Sequence, residues 1–118
     1  MDSRLAMLRA MKSAQHKERR RAARRKPNPR TLCRIVLAEG TVRPATIRDL
    51  SVSGMGLFLR RALEPGLNLD VDLLQPLRAF SCRVPARVVH SCEQPGGVWK
   101  VGVAFVRELS PEEFQTLV

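Results

Sequence analysis

The sequence predicts an all-β fold: a small six-stranded antiparallel barrel with a flexible basic N-terminal arm and helix, closed by a short C-terminal helix. Three observations predict it. From about residue 31 onward apolar residues recur at every second position, the spacing of strands that bury one face. Turn-forming Gly and Pro clusters separate these runs and leave no room for helices between them, so neighbouring strands run antiparallel. Aromatic residues are only 4% of the chain, so Val, Leu and Ile must fill the core, which suits a small β-rich interior. Closing the sheet removes its unpaired edges.

The elements follow in order. Asp2 to about Gln15 is rich in Ala, Leu, Met, Arg and Lys, with Leu5, Leu8 and Met11 or Lys12 near helical spacing, so residues 1–18 form a helical extension. The basic run Lys17 to Lys26 follows, and Pro27-Asn28-Pro29 ends any helix there, because proline lacks an amide donor and restricts its predecessor. Residues 19–29 are thus an arginine arm, and 19–118 form one domain with the barrel. Strands are expected at Thr31–Ala38, Thr41–Leu50, Met55–Arg60, Leu67–Leu73, Phe80–His90 and Val98–Arg107. The turns between them include Glu39-Gly40, Glu64-Pro65-Gly66 and Gln94-Pro95-Gly96-Gly97. Pro44 and Pro85 fit rim or bulge positions. Ser110-Pro111-Glu112-Glu113 reads as an N-cap, a proline at the first helical position and a capping-box glutamate, which starts a helix with Phe114 and Leu117 facing the barrel.

Charge narrows the function classes. The net charge of +10 invites a nucleic-acid reading, but residues 1–26 carry 10 Lys/Arg against 2 Asp/Glu, leaving 11 against 9 for residues 27–118. The basicity belongs to the arm, and nucleic acid is disfavoured as a partner. Leu5, Met7 and Leu8 are interrupted by Arg9 and Lys12, so no export signal is expected, and no segment is apolar enough for membrane insertion. Cys33, Cys82 and Cys92 lack the close pairing of zinc sites and read as reduced, packed thiols of a cytoplasmic protein. His16 and His90 have no partner at ligand spacing, and Asp70 and Asp72 lie on the polar face of a strand. No metal, cofactor or catalytic residue is expected, so the protein reads as a non-enzyme.

Three segments remain: Arg19-Arg20-Arg21-Ala22-Ala23-Arg24, Asp49-Leu50-Ser51-Val52-Ser53-Gly54, and Val101-Gly102-Val103-Ala104-Phe105 before the closing helix. Together they resemble the PilZ family, whose signature sets RRxxxR before the barrel and [D/N]xSxxG inside it. Arg19, Arg20 and Arg24 match the first motif; Asp49, Ser51 and Gly54 match the second. Arg20, Arg21 and Arg25 satisfy RRxxxR one residue later, which makes Arg21 and Arg25 alternative members. The resemblance covers Arg19 to the C-terminus. It implies a receptor for cyclic di-GMP that changes conformation on binding and signals through a protein partner in bacterial motility or surface behaviour.

The residue chemistry suits that ligand. Guanidinium forks onto phosphate oxygens and onto the O6/N7 edge of guanine, and it stacks on flat bases. Asp49 offers an acceptor for guanine N1 and N2, which a bare polyphosphate cannot use. Ser51 can donate to a phosphate or hold the loop, Ser53 shares its turn, and Gly54 allows close backbone approach or a positive φ. Trp99 is in phase with Val101, Val103 and Phe105, so it either packs in the core or stacks on a guanine at the rim. Two other readings compete: a small-barrel nucleic-acid binder with a basic arm, and a PilZ-type adaptor that acts without ligand.

Overall fold

A computed structural model describes residues 23–118; the expected helical extension of residues 1–18 lies outside them. Six strands form a closed antiparallel barrel in the order β1-β2-β3-β6-β5-β4. They are β1 (Leu32–Leu37), β2 (Val42–Leu50), β3 (Gly54–Leu59), β4 (Asn68–Gln75), β5 (Phe80–Gln94) and β6 (Val98–Phe105). β1–β2–β3 and β4–β5–β6 are each a meander, and the barrel closes where β3 meets β6 and β1 meets β4. A single 3-10 turn, Pro76–Arg78, links β4 to β5, and helix α1 (Pro111–Leu117) ends the chain. Among the described residues no helix is long and apolar enough to cross a membrane.

Period-two alternation builds the interior. Ile35, Leu57, Val71, Leu73, Val84 and Val101 are fully shielded from solvent, while their sequence neighbours on each strand turn outward or lie at the surface. Leu63, in the β3–β4 connection, joins the same core, and α1 adds Phe114 and Leu117. Ser110 accepts from the Glu113 amide at 3.1 Å and the Glu113 carboxylate accepts from the Ser110 amide at 2.8 Å, completing the expected capping box. Arg107 clamps that carboxylate at 2.8 and 3.0 Å. Its hydrogen bond, with help from the Ser110 amide, lowers the Glu113 pKa to about 2.

Both in-strand prolines sit where a neighbour has run out. The β2–β3 register starts at Thr46↔Phe58, beyond Pro44, and the β5–β6 register stops at Ala86↔Phe105, before Pro85. The Pro85 carbonyl accepts from Val106 at 2.8 Å, past the end of β6, so the missing amide on that side costs no ladder bond.

Three details depart from expectation. β5 runs four residues past His90 to Gln94, because Cys92, Glu93 and Gln94 pair with Lys100, Trp99 and Val98 in a hairpin that needs no apolar alternation. Cys33 is buried, with its thiol pushed up to about 12 by desolvation, and Cys82 is half-buried at about 11 for the same leading reason, but Cys92 is exposed on that hairpin and is not a packed thiol. Ala79 takes a left-handed conformation (φ 48°) after the 3-10 turn, where an L side chain is strained and glycine would be at ease.

Candidate ligand-binding site

The arm meets the barrel at the end of β2. Arg25 and Leu50 exchange backbone hydrogen bonds of 2.9 and 2.8 Å, a one-residue bridge that lays the arm beside the strand. Three residues later the Asn28 amide donates to the Leu117 carbonyl at 2.9 Å, and the Thr31 hydroxyl donates to the same carbonyl at 2.7 Å. The chain between arm and barrel is therefore tied to β2 at one point and to the end of α1 at another.

That bridge brings Arg24 to Asp49. Arg24 Nη1 donates to Asp49 Oδ1 at 2.6 Å, and the Gly56 amide donates to the same oxygen at 3.1 Å. Arg48 Nη2 lies 3.4 Å from Asp49 Oδ2. Asp49 is a half-buried carboxylate on the outer face of the barrel, with both oxygens facing guanidinium groups. A β-bulge places it there. Ile47 packs toward the core and Leu50 is fully buried, three positions apart, so the register shift between Ile47 and Asp49 leaves Arg48 and Asp49 together on the outside.

The turn after Leu50 is braced from within. Ser51 is 1% exposed; its hydroxyl donates to the Gly54 carbonyl at 3.2 Å and accepts from the Ser53 amide at 3.3 Å. Outside the turn, the Ser53 carbonyl accepts from Phe105 and the Val52 carbonyl from Leu109, each at 2.8 Å. Gly54 has no positive φ; a β-carbon there would run into the Val103 carbonyl of β6, so close strand approach is what requires glycine.

Arg24, Arg25, Asp49, Ser51, Ser53 and Gly54 thus gather at one end of β2 and β3, whereas Arg19, Arg20 and Arg21 lie outside the described residues. Trp99 pairs with Leu59 at the far end of β3 from Gly54, and its ring packs against the core cluster. It lies three residues along β6 from Gly102, about 10 Å at strand rise. Arg48 and Gly56 neighbour the site without having been singled out in the sequence, and Gly102 and His90, noted there only in a motif segment and as an isolated histidine, lie beside them. The sequence signal for the first was two polar residues in a row, Arg48-Asp49, between inward Ile47 and Leu50.

A closed six-stranded barrel, with the described end of a basic arm bridged to β2 and set on a carboxylate beside a serine-braced turn, carries its candidate site on the outer wall. The PilZ domain family model matches residues 18–118, and the chain belongs to the PilZ domain family. No curated protein sequence matches it. Among solved structures, the PilZ domain with c-di-GMP of YcgR from Escherichia coli is similar, with 22% identity and a TM-score of 0.64 over 84% of this chain and 86% of that one. YcgR in complex with c-di-GMP from Escherichia coli matches at 24% identity and TM-score 0.64, over 83% of this chain and 42% of that one. The Bacillus subtilis inhibitor of motility, MotI/DgrA, matches at 15% and 0.60, over 84% of this chain and 48% of that one. The chain spans less than half the length of these last two proteins.

Proposed function

We propose that this domain is a receptor for cyclic di-GMP, seated against the outer wall at the Asp49 to Gly54 turn and wrapped by the arginine arm. The observation that carries the reading is the Arg24 to Asp49 ion pair, 2.6 Å long and 25 positions apart in sequence. It joins the two signature motifs at one place, with donors for phosphate and for guanine O6/N7 beside an acceptor for guanine N1/N2. Family membership and the ligands named for the YcgR structures support the same ligand.

Asp49, Arg24, Arg20 and Arg19 are the proposed contacts, with Arg21 and Arg25 in the alternative register. Ser51, Ser53 and Gly54 shape the turn that presents Asp49. Ligand binding draws Arg24 from the carboxylate to the dianion, and the bridge at Arg25 and the bond from Asn28 to Leu117 carry that movement toward α1. The output is a changed surface read by a protein partner in the cytoplasm, in control of motility or biofilm formation, and the domain itself performs no catalysis.

The test is isothermal titration with cyclic di-GMP at about 0.15 M salt, with GTP and a short single-stranded oligonucleotide as controls. Saturable micromolar or tighter binding to the cyclic dinucleotide alone is expected. Oligonucleotide binding without cyclic di-GMP binding would overturn the reading in favour of a basic-arm nucleic-acid binder.

A further inference from the structure

The outer wall beside Asp49 is paved with glycine. Gly56 of β3 and Gly102 of β6 are directly paired, and both face outward because Met55, Leu57, Val101 and Val103 point into the core. Asp49 pairs with Gly56 on one side of this floor and His90 with Gly102 on the other. Each flanking strand carries a bulge at this row, β2 between Ile47 and Asp49 and β5 between Val88 and His90. The two bulges turn Arg48 and His90 inward over the floor from opposite sides. A β-carbon on Gly56 would lie 2.6 Å from Arg48 Nη2 and 2.7 Å from its Nε, and one on Gly102 would strike the His90 ring. The space over both glycines is thus filled by a guanidinium and an imidazole, side chains that a flat group could displace and replace where no β-carbon stands in the way.

Arg48 is poised but incompletely bonded. Its Nη2 faces Asp49 Oδ2 at 3.4 Å, yet its Nε is buried with no hydrogen-bond partner. An unmet buried donor is costly and is answered by whatever acceptor arrives. Arg48 and Asp49 together present donors beside an acceptor, the complement of two adjoining guanine edges, where the N2 and N1 donors of the Watson–Crick edge are followed around the ring by the O6 and N7 acceptors of the Hoogsteen edge.

We infer that the Gly56–Gly102 floor seats one guanine of the ligand, with Arg48 reading its O6/N7 edge next to Asp49 and His90 forming the far wall. The inference rests on the cyclic di-GMP reading and adds to it a specificity residue outside both signature motifs. On binding, the purine takes the place of the guanidinium over the glycines, and Arg48 turns to the purine edge.

The experiment is a mutant-by-ligand cycle by titration calorimetry on the full chain: wild type, R48A and R48K against cyclic di-GMP and its 7-deazaguanine analogue, with thermal melts to establish that each variant folds. R48A is expected to weaken cyclic di-GMP binding by about 5- to 150-fold, the range for losing a bidentate contact to guanine. R48K is expected not to restore it, since an ammonium cannot fork. Removing N7 is expected to cost wild type at least about fivefold more than it costs R48A. Equal costs, or full rescue by R48K, would make Arg48 a phosphate contact and overturn the inference while leaving the receptor reading intact. Failure of wild type to bind cyclic di-GMP would remove both.

Discussion

Two aspartates on the outer wall of this barrel each face two arginines, yet they are built differently. Asp72 sits mid-strand on β4, directly opposite Arg34 of β1 and Arg83 of β5 in the register of the sheet. Arg83 holds it with two bonds, 2.7 and 3.0 Å, and Arg34 lies 3.5 Å away. All three groups are carried by strands, and the Arg83 hydrogen bond keeps the Asp72 carboxyl below its ordinary range. Asp49 draws one cation from its own bulge and the other from the arm, whose backbone, among the described residues, meets β2 at one bridge. Strand-held pairs are locked by register and brace the wall; an arm-held pair can release its arginine to another anion without disturbing a ladder. The contrast gives Asp72 a structural setting and leaves Asp49, under the proposed function, as the one that trades its arginine.

The largest effect that would break this contrast is in ligand affinity. Losing a hydrogen bond to a charged group costs about 1.5–3 kcal/mol, so Asp49→Ala is expected to weaken cyclic di-GMP binding roughly 10- to 150-fold. Asp72→Ala should bind as wild type does, and calorimetry on the two variants compares them directly; equal losses would erase the distinction.

Acid sensitivity sharpens it from the structural side. A carboxyl held below its ordinary pKa when folded stabilises the fold above that ordinary value and loses the contribution as pH falls through the folded value. Asp72, ordinarily at 3.8, therefore gives stability that fades below about that pH. Glu113 does the same from its ordinary 4.5 down to about 2. Denaturant melts between pH 6 and pH 2 should show a shallower acid loss in Asp72→Asn than in wild type, with the Glu113 share retained. An unaltered profile would count against the strand-held pair as a brace.

The smallest expected effect separates the two arm residues at the bridge. Arg25 contributes its backbone, so Arg25→Ala keeps the bridge, while Arg24→Ala removes the side chain that reaches Asp49. Binding should fall about tenfold or more for the latter and change by less than about threefold for the former. The reverse order would shift the arm to the register of Arg20, Arg21 and Arg25.

Much of this was legible in the chain. Alternation located all six strands within a few residues, and Ser110-Pro111-Glu112-Glu113 announced its capping box, because burial on one face and end-capping are local demands that residue types meet directly. The bulges were not legible: Ile47-Arg48-Asp49-Leu50 breaks alternation by one residue, and only pairing with β3 decides on which side that residue is spent. Ser51 illustrates the same limit. Its motif position marked it, but only the turn geometry shows its hydroxyl directed at the Gly54 carbonyl.

By itself the sequence determined the barrel, its closing helix, the local concentration of positive charge and the two motif segments, since each depends on residues near one another in the chain. The tertiary structure alone decided that Arg24 reaches Asp49, that Gly56 and Gly102 lie side by side, and that Arg48 and His90 lean over them from opposite strands. Those contacts join different segments of the chain, from 8 to 46 positions apart, and their pairing follows from strand register and bulge placement, which closing the whole sheet selects.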